Sequence, residues 1–86
     1  MNDEQFIKVA ATNVANFLRM PLGEIDPLRL LRMYSPLFHL LGGDRELMVH
    51  FLNTHNKHLD FCPAAFLTSE HHMKKITVYL ESHAYR

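Results

Sequence analysis

At 86 residues, 48% of them hydrophobic and with nine basic side chains balanced by nine acidic ones, the chain has the composition of one small folded domain rather than a disordered tail. Its zero formal charge lacks the basic footprint of a nucleic-acid binder, and no apolar run approaches the roughly 18–20 residues that span a bilayer. A lone cysteine, Cys62, excludes an intramolecular disulfide, and for a domain that buries only about 60–65% of its unfolded surface a partner or a second copy is the expected source of extra stability.

The opening residues Met1-Asn2-Asp3-Glu4-Gln5 have neither the basic flank nor the apolar core of a signal peptide. A cytoplasmic protein with a reduced thiol is therefore expected. From Phe6 through Val9, Ala10, Asn13, Val14, Phe17 and Leu18 the i, i+3, i+4, i+7 spacing predicts an amphipathic helix over Asp3–Met20, broken only by Asn13. Asp3 is placed to cap it, and Pro21 and Gly23 are placed to end it.

Asp26-Pro27 is a second start signal, with Asp at the cap and Pro at the first helical position. Leu28, Leu30, Leu31, Tyr34, Leu37, Phe38 and Leu41 carry an apolar face to the double glycine Gly42-Gly43, a helix stop. Pro36 within this run should either kink the helix or restart it with Ser35 as a new cap. Asp44 caps a third helix to about Asn53, with Leu47, Met48, Phe51 and Leu52 directed at the core. Asn53–Asp60 is rich in polar turn formers and reads as a surface loop. Pro63 opens a short helical turn. Thr68 or Ser69 caps a last helix carrying Met73, Ile76, Tyr79 and Leu80. The expected architecture is all-α: a small single-domain bundle of four to five helices over residues 1–86. Residues 1–41 form the amino-terminal helices and residues 42–86 the carboxyl-terminal half.

The stretch Phe51-Leu52-Asn53-Thr54-His55-Asn56-Lys57-His58-Leu59, followed by Pro63 and Leu67, resembles the signature of the toxin-binding domain of MbcA/ParS/Xre-type antitoxins. Phe51, Leu52, Asn56, Leu59, Pro63 and Leu67 stand at that pattern's positions without an insertion. Thr68-Ser69-Glu70 resembles the cap of the family's last helix, and Leu80-Glu81 with Tyr85 its closing residues. Phe51 occupies the place of a Trp, and His55 that of a Pro. Asp60-Phe61 replaces a pair that usually contains Gly, so the turn there either differs or holds a strained backbone. The resemblance implies a bacterial antitoxin that binds a RES-domain toxin, an NAD-consuming enzyme, and occludes its active site with the antitoxin's carboxyl-terminal region. On this chain that assigns partner contact to Tyr79, His83, Tyr85 and Arg86, among them the Tyr and Arg types that dominate binding hot spots. Such a module is not an enzyme and needs no cofactor.

Other readings follow from individual residues. Val14–Leu18 and Leu22–Ile25 resemble the first half of a helix-turn-helix, with Arg29 and Arg32 as phosphate contacts for a DNA-binding repressor; the neutral charge and the lack of a complete three-helix unit count against it. The stripe Phe6, Val9, Val14, Phe17 could pair with a symmetry mate in a homodimeric adaptor, although packing within the chain is the simpler expectation. His55, His58, His71 and His72 invite a zinc site with Cys62, Asp60 or Glu70 as further ligands. Tetrahedral zinc needs three or four converging groups, and adjacent histidines on a helix diverge by about 100°, so no metal is expected. Cys62 has no orienting third group for nucleophilic chemistry, and Gly42-Gly43 is not followed by a phosphate-binding Lys.

Overall fold

The computed structural model describes residues 2–85, so Met1 and Arg86, one of the expected contact residues, lie outside it. Four α-helices form: α1 (Asp3–Phe17), α2 (Pro27–Leu40), α3 (Arg45–Leu52) and α4 (Glu70–Ala84), with a short 3-10 turn (Pro63–Phe66) between the last two. No β-strand occurs among the described residues; an isolated bridge joins Asn56 to Phe61. The radius of gyration is 12.3 Å, against about 12 Å for a compact domain of this length. The chain is an all-α domain.

Side-chain caps start every helix. Asp26 accepts from the amides of Leu28 and Arg29, Asp44 from that of Leu47, and Ser69 from that of His72, each satisfying donors that the first helical turn leaves open. At α1 the cap is Asn2 and not Asp3. Its side chain accepts from Gln5 N while Gln5 reaches back to the Asn2 amide, a complete capping box. Asp3 instead lies in the first turn, where its charge favours the positive helix end.

The end of α1 comes three residues earlier than the pattern predicts. Arg19 adopts a left-handed conformation (φ 57°), and the amides of Arg19 and Met20 bond back to the carbonyls of Asn16 and Ala15, the Schellman arrangement usually made by glycine. Arg45 then closes the end from a distance: its Nε donates to Phe17 O at 2.6 Å and its guanidinium sits 5.4 Å from the Phe17 ring centroid. The same motif ends α2, with Gly42 and Gly43 at φ 64° and 73°. Pro36 lies inside a continuous α2, so the restart at Ser35 does not occur. Its missing N–H leaves the Arg32 carbonyl without its i+4 donor.

α2 is the central element and packs against both α1 and α4, while the 3-10 turn meets α3 and α4. The core comprises Ala11, Ala15 and Leu18 from α1 and its end, Leu30, Met33 and Leu37 from α2, Met48 and Leu52 from α3, and Met73, Ile76 and Leu80 from α4, with Ile25 and Leu67 from the connections. No polar or charged residue is buried among the described residues. The inward face of α1 therefore differs from the expected stripe. Ala11 and Ala15, four apart, are the fully buried residues, small enough to let two helices approach closely. Phe6 and Val9 point to solvent, and Val14 and Phe17 only flank the core. Leu47, expected inside, is also exposed.

Candidate functional site

The loop after α3 is built on Asn56. Its side-chain oxygen accepts from the amides of His58 and Leu59, each at 2.9 Å, and its backbone bonds Phe61 O and Asp60 N. Closing so tight a turn puts Asp60 in the left-handed region at φ 66°, where Asp is among the better tolerated L-residues. Cys62 donates its thiol to Leu52 O at 3.3 Å, and Pro63 then starts the 3-10 turn with its ring buried. Of the six motif positions, Leu52, Pro63 and Leu67 are buried, Phe51 and Leu59 half-buried, and Asn56 makes the turn. All six position the backbone and core of this half.

That loop sets His58 against one flank of α4. The His58 ring lies 5.9 Å from Tyr79 and 6.5 Å from His83, and Tyr79 and His83 are 4.5 Å apart, centroid to centroid. Phe51 stacks behind Tyr79 at 6.4 Å with the rings 8° from parallel. A second ring group lies nearer the start of α4, where His72 stacks on Phe66 at 4.2 Å and meets Phe61 edge-on. Ser69 Oγ, the helix cap, is 2.7 Å from His72 Nδ1. Together these rings give the flank of α4 a half-exposed aromatic and imidazole surface.

The other flank of α4 faces α2 across an open groove of about 690 Å3. At one end Arg29 pairs with Glu70 at 2.7 Å; at the other the Tyr85 hydroxyl is 3.3 Å from Ser35 Oγ and its ring 5.3 Å from that of His39. Arg32, Pro36, Lys74, Val78 and Glu81 line the space between.

The four expected contact residues are thus divided. Tyr79 and His83, one helical turn apart, share the ring cluster beside His58; Tyr85, six residues beyond Tyr79, falls on the groove side; Arg86 is outside the described residues. Helix geometry carries the signal for this division: at 100° per residue, Tyr79 and His83 differ by about 40° and Tyr79 and Tyr85 by about 240°. His58, Phe61, Phe66 and His72 on one flank, and Lys74 and Val78 on the other, were not singled out as contact residues, because their placement depends on which side of α4 meets α2.

The remaining sequence candidates are placed as follows. His55 lies 3.7 Å from Asp60 on the exposed loop. Cys62 is spent on the Leu52 carbonyl. Among the described residues, no three His, Cys, Asp or Glu side chains could share a metal ion. Arg29 is held by Glu70. Tyr34 sits between Phe17 and Phe38, its ring 6.2 Å and 5.7 Å from theirs, and burial pushes its phenol above the ordinary 10.0. No helix among the described residues is long and apolar enough to cross a membrane. Comparison with protein-family models, curated proteins and solved structures returned no match in any of the three.

Proposed function

We propose that this chain is a protein-binding module of the antitoxin kind, acting by steric occlusion of a RES-domain, NAD-consuming enzyme and supplying no chemistry of its own. The observation that carries the reading is the composition of the carboxyl end of α4: Tyr79 and His83 packed with His58 on one flank, and Tyr85 53% exposed on the other. Such rings offer large contact area with few rotatable bonds to order, plus hydrogen-bonding tips, which is the chemistry of binding hot spots. The resemblance of the Phe51–Leu67 segment supports the same reading. So does the glycine-like conformation of Asp60, at a position where that pattern usually has a glycine-containing pair. Steric occlusion requires a surface held in place before binding, and the Asn56 turn and the Ser69 cap supply that rigidity.

The test is to follow NAD consumption by a RES-domain enzyme, with and without this chain. Inhibition at one-to-one stoichiometry is expected, and it should vanish when the chain is ended after Leu80. The shortened chain retains the core residues Met73, Ile76 and Leu80 and should keep its helical spectrum. Full inhibition by the shortened chain, or none by the intact one, overturns the proposal.

A further inference from the structure

The groove between α2 and α4 is bounded at both ends and unsatisfied between them. Arg29 and Glu70 pair across one end at 2.7 Å, and the Ser35 and Tyr85 hydroxyls meet at the other at 3.3 Å. Between these bounds Arg32 on the α2 wall and Lys74 on the α4 wall have no ion-pair partner among the described residues. Helix geometry keeps Lys74 over the groove: Glu70, Val78, Glu81 and Tyr85 all lie within about 40° of it around α4. Beneath the two cations the lining is apolar, with Pro36 and Met73 buried and Val78 56% exposed.

Pro36 adds a second unsatisfied group. Because it has no N–H, the Arg32 carbonyl lacks its i+4 donor. That carbonyl lies on the face of α2 between Arg32 and Pro36, both of which line the groove. No side chain among the described residues donates to it.

These features specify the chemistry of an occupant. The cations call for carboxylates, the floor for apolar side chains, and the open carbonyl for a main-chain N–H. A helix spends its own donors internally, whereas an extended segment keeps them. Its side chains also alternate, so that apolar groups can turn to the floor and carboxylates to the rim. Length agrees: α4 lines the groove from Glu70 to Tyr85, roughly 22 Å at about 1.5 Å per residue, which about six or seven extended residues fill. A nucleic acid fits less well, because Glu70 and Glu81 line the same groove and would meet a phosphate at nearly every step.

We propose that the α2–α4 groove binds an extended segment of another protein in which acidic and apolar residues alternate, its carboxylates paired with Arg32 and Lys74. The groove lies on the flank of α4 away from the His58 rings. Its test uses no RES-domain enzyme, so it stands or falls separately from the occlusion reading.

The experiment is fluorescence anisotropy with two labelled hexapeptides, one alternating glutamate and leucine, the other lysine and leucine, titrated with the full chain. The glutamate peptide should bind with a Kd below about 1 mM, and the lysine peptide at least roughly tenfold more weakly. Added salt should weaken the first. Arg32→Glu with Lys74→Glu should reverse the preference. Lys57→Glu with Lys75→Glu makes the same charge change outside the groove and should leave it unaltered. Glu81→Gln removes a like charge and should tighten the glutamate peptide. All five positions are exposed, circular dichroism verifies that the variants are folded, and gained binding of the lysine peptide itself requires an intact groove. The glutamate peptide with N-methylated amides lacks main-chain donors and should bind about three- to tenfold more weakly. The inference is overturned if the native chain binds neither peptide or both alike, if the groove reversal does no more than the control pair, or if N-methylation costs nothing. Displacement of the peptide by a short thymidine oligonucleotide at equal concentration would equally overturn it, as the mark of a general polyanion site.

Discussion

Asp60 offers a substitution whose effect can be worked almost wholly from the backbone. It holds φ at 66°, its side chain is 93% exposed, and its one ion-pair neighbour is the exposed His55 at 3.7 Å, a contact worth on the order of 0–1 kcal/mol. A left-handed conformation costs an L-residue roughly 1–2 kcal/mol, the lower end applying to Asp. Asp60→Gly removes that cost but gives back about 0.4–1 kcal/mol through the greater freedom of the unfolded chain. The net expectation is stabilisation by about 0–0.6 kcal/mol. Asp60→Ala keeps the cost and loses the local tolerance of Asp, so it should destabilise by about 0.5–1 kcal/mol, and the β-branched Asp60→Val by more. Urea denaturation followed at 222 nm measures the order Gly, Asp, Ala, Val, and thermal melts should show about 4–8 °C per kcal/mol for a domain of this size. A Gly variant less stable than the native chain by about 1 kcal/mol or more would mean that the carboxylate and not the backbone decides the turn.

Three further outcomes follow from the packing. Ile76→Ala empties a fully buried site and should cost roughly 2–5 kcal/mol, a large part of the total stability of so small a domain, whereas Val78→Ala on the exposed flank should stay within about 0.5 kcal/mol; parallel urea melts compare them. Arg45→Met keeps the aliphatic stem but loses the bond to Phe17 O and the contact with the Phe17 ring, and should cost about 1–2 kcal/mol, with faster amide exchange confined at first to the end of α1; unchanged exchange there would contradict the long-range closure. Burial raises the Tyr34 phenol pKa, so above pH 10 the folded state holds this proton more tightly than the unfolded one. Its contribution is fully present below the unfolded value and is lost as pH rises through the folded one. The native chain should therefore lose more stability than Tyr34→Phe between about pH 9 and 11, and equal losses would remove the burial effect.

The local chemistry of three of the four α-helix starts was legible in the residues, the exception being α1, capped by Asn2 and not Asp3. Asp26 before Pro27, Asp44 after the double glycine and Ser69 before Glu70 each do what a short polar side chain at that place does, whatever the rest of the fold. Legibility stopped where a choice depended on distant partners. Periodicity identified α1 as amphipathic but started its apolar stripe at Phe6 and Val9; the packing instead buries Ala11 and Ala15. The end of α1 was set by a left-handed arginine and by Arg45, 28 residues from the carbonyl it caps, a pairing without a local pattern. The motif residues Asn56 and Pro63 could be read as turn and helix start. The surface they support was legible only in part: helix periodicity separates Tyr79 from Tyr85, but which flank borders the groove and which the His58 rings is decided when α4 is set against α2.

The proposed docking site is the carboxyl end of α4, and amide exchange reads that location directly. Exchange is measured on the chain alone and in complex with the RES-domain enzyme. Added protection over Tyr79 to Tyr85 and at His58, with the Ala11–Leu18 core segment unchanged, is the predicted footprint. Protection confined to α1, or none anywhere on α4, would contradict it.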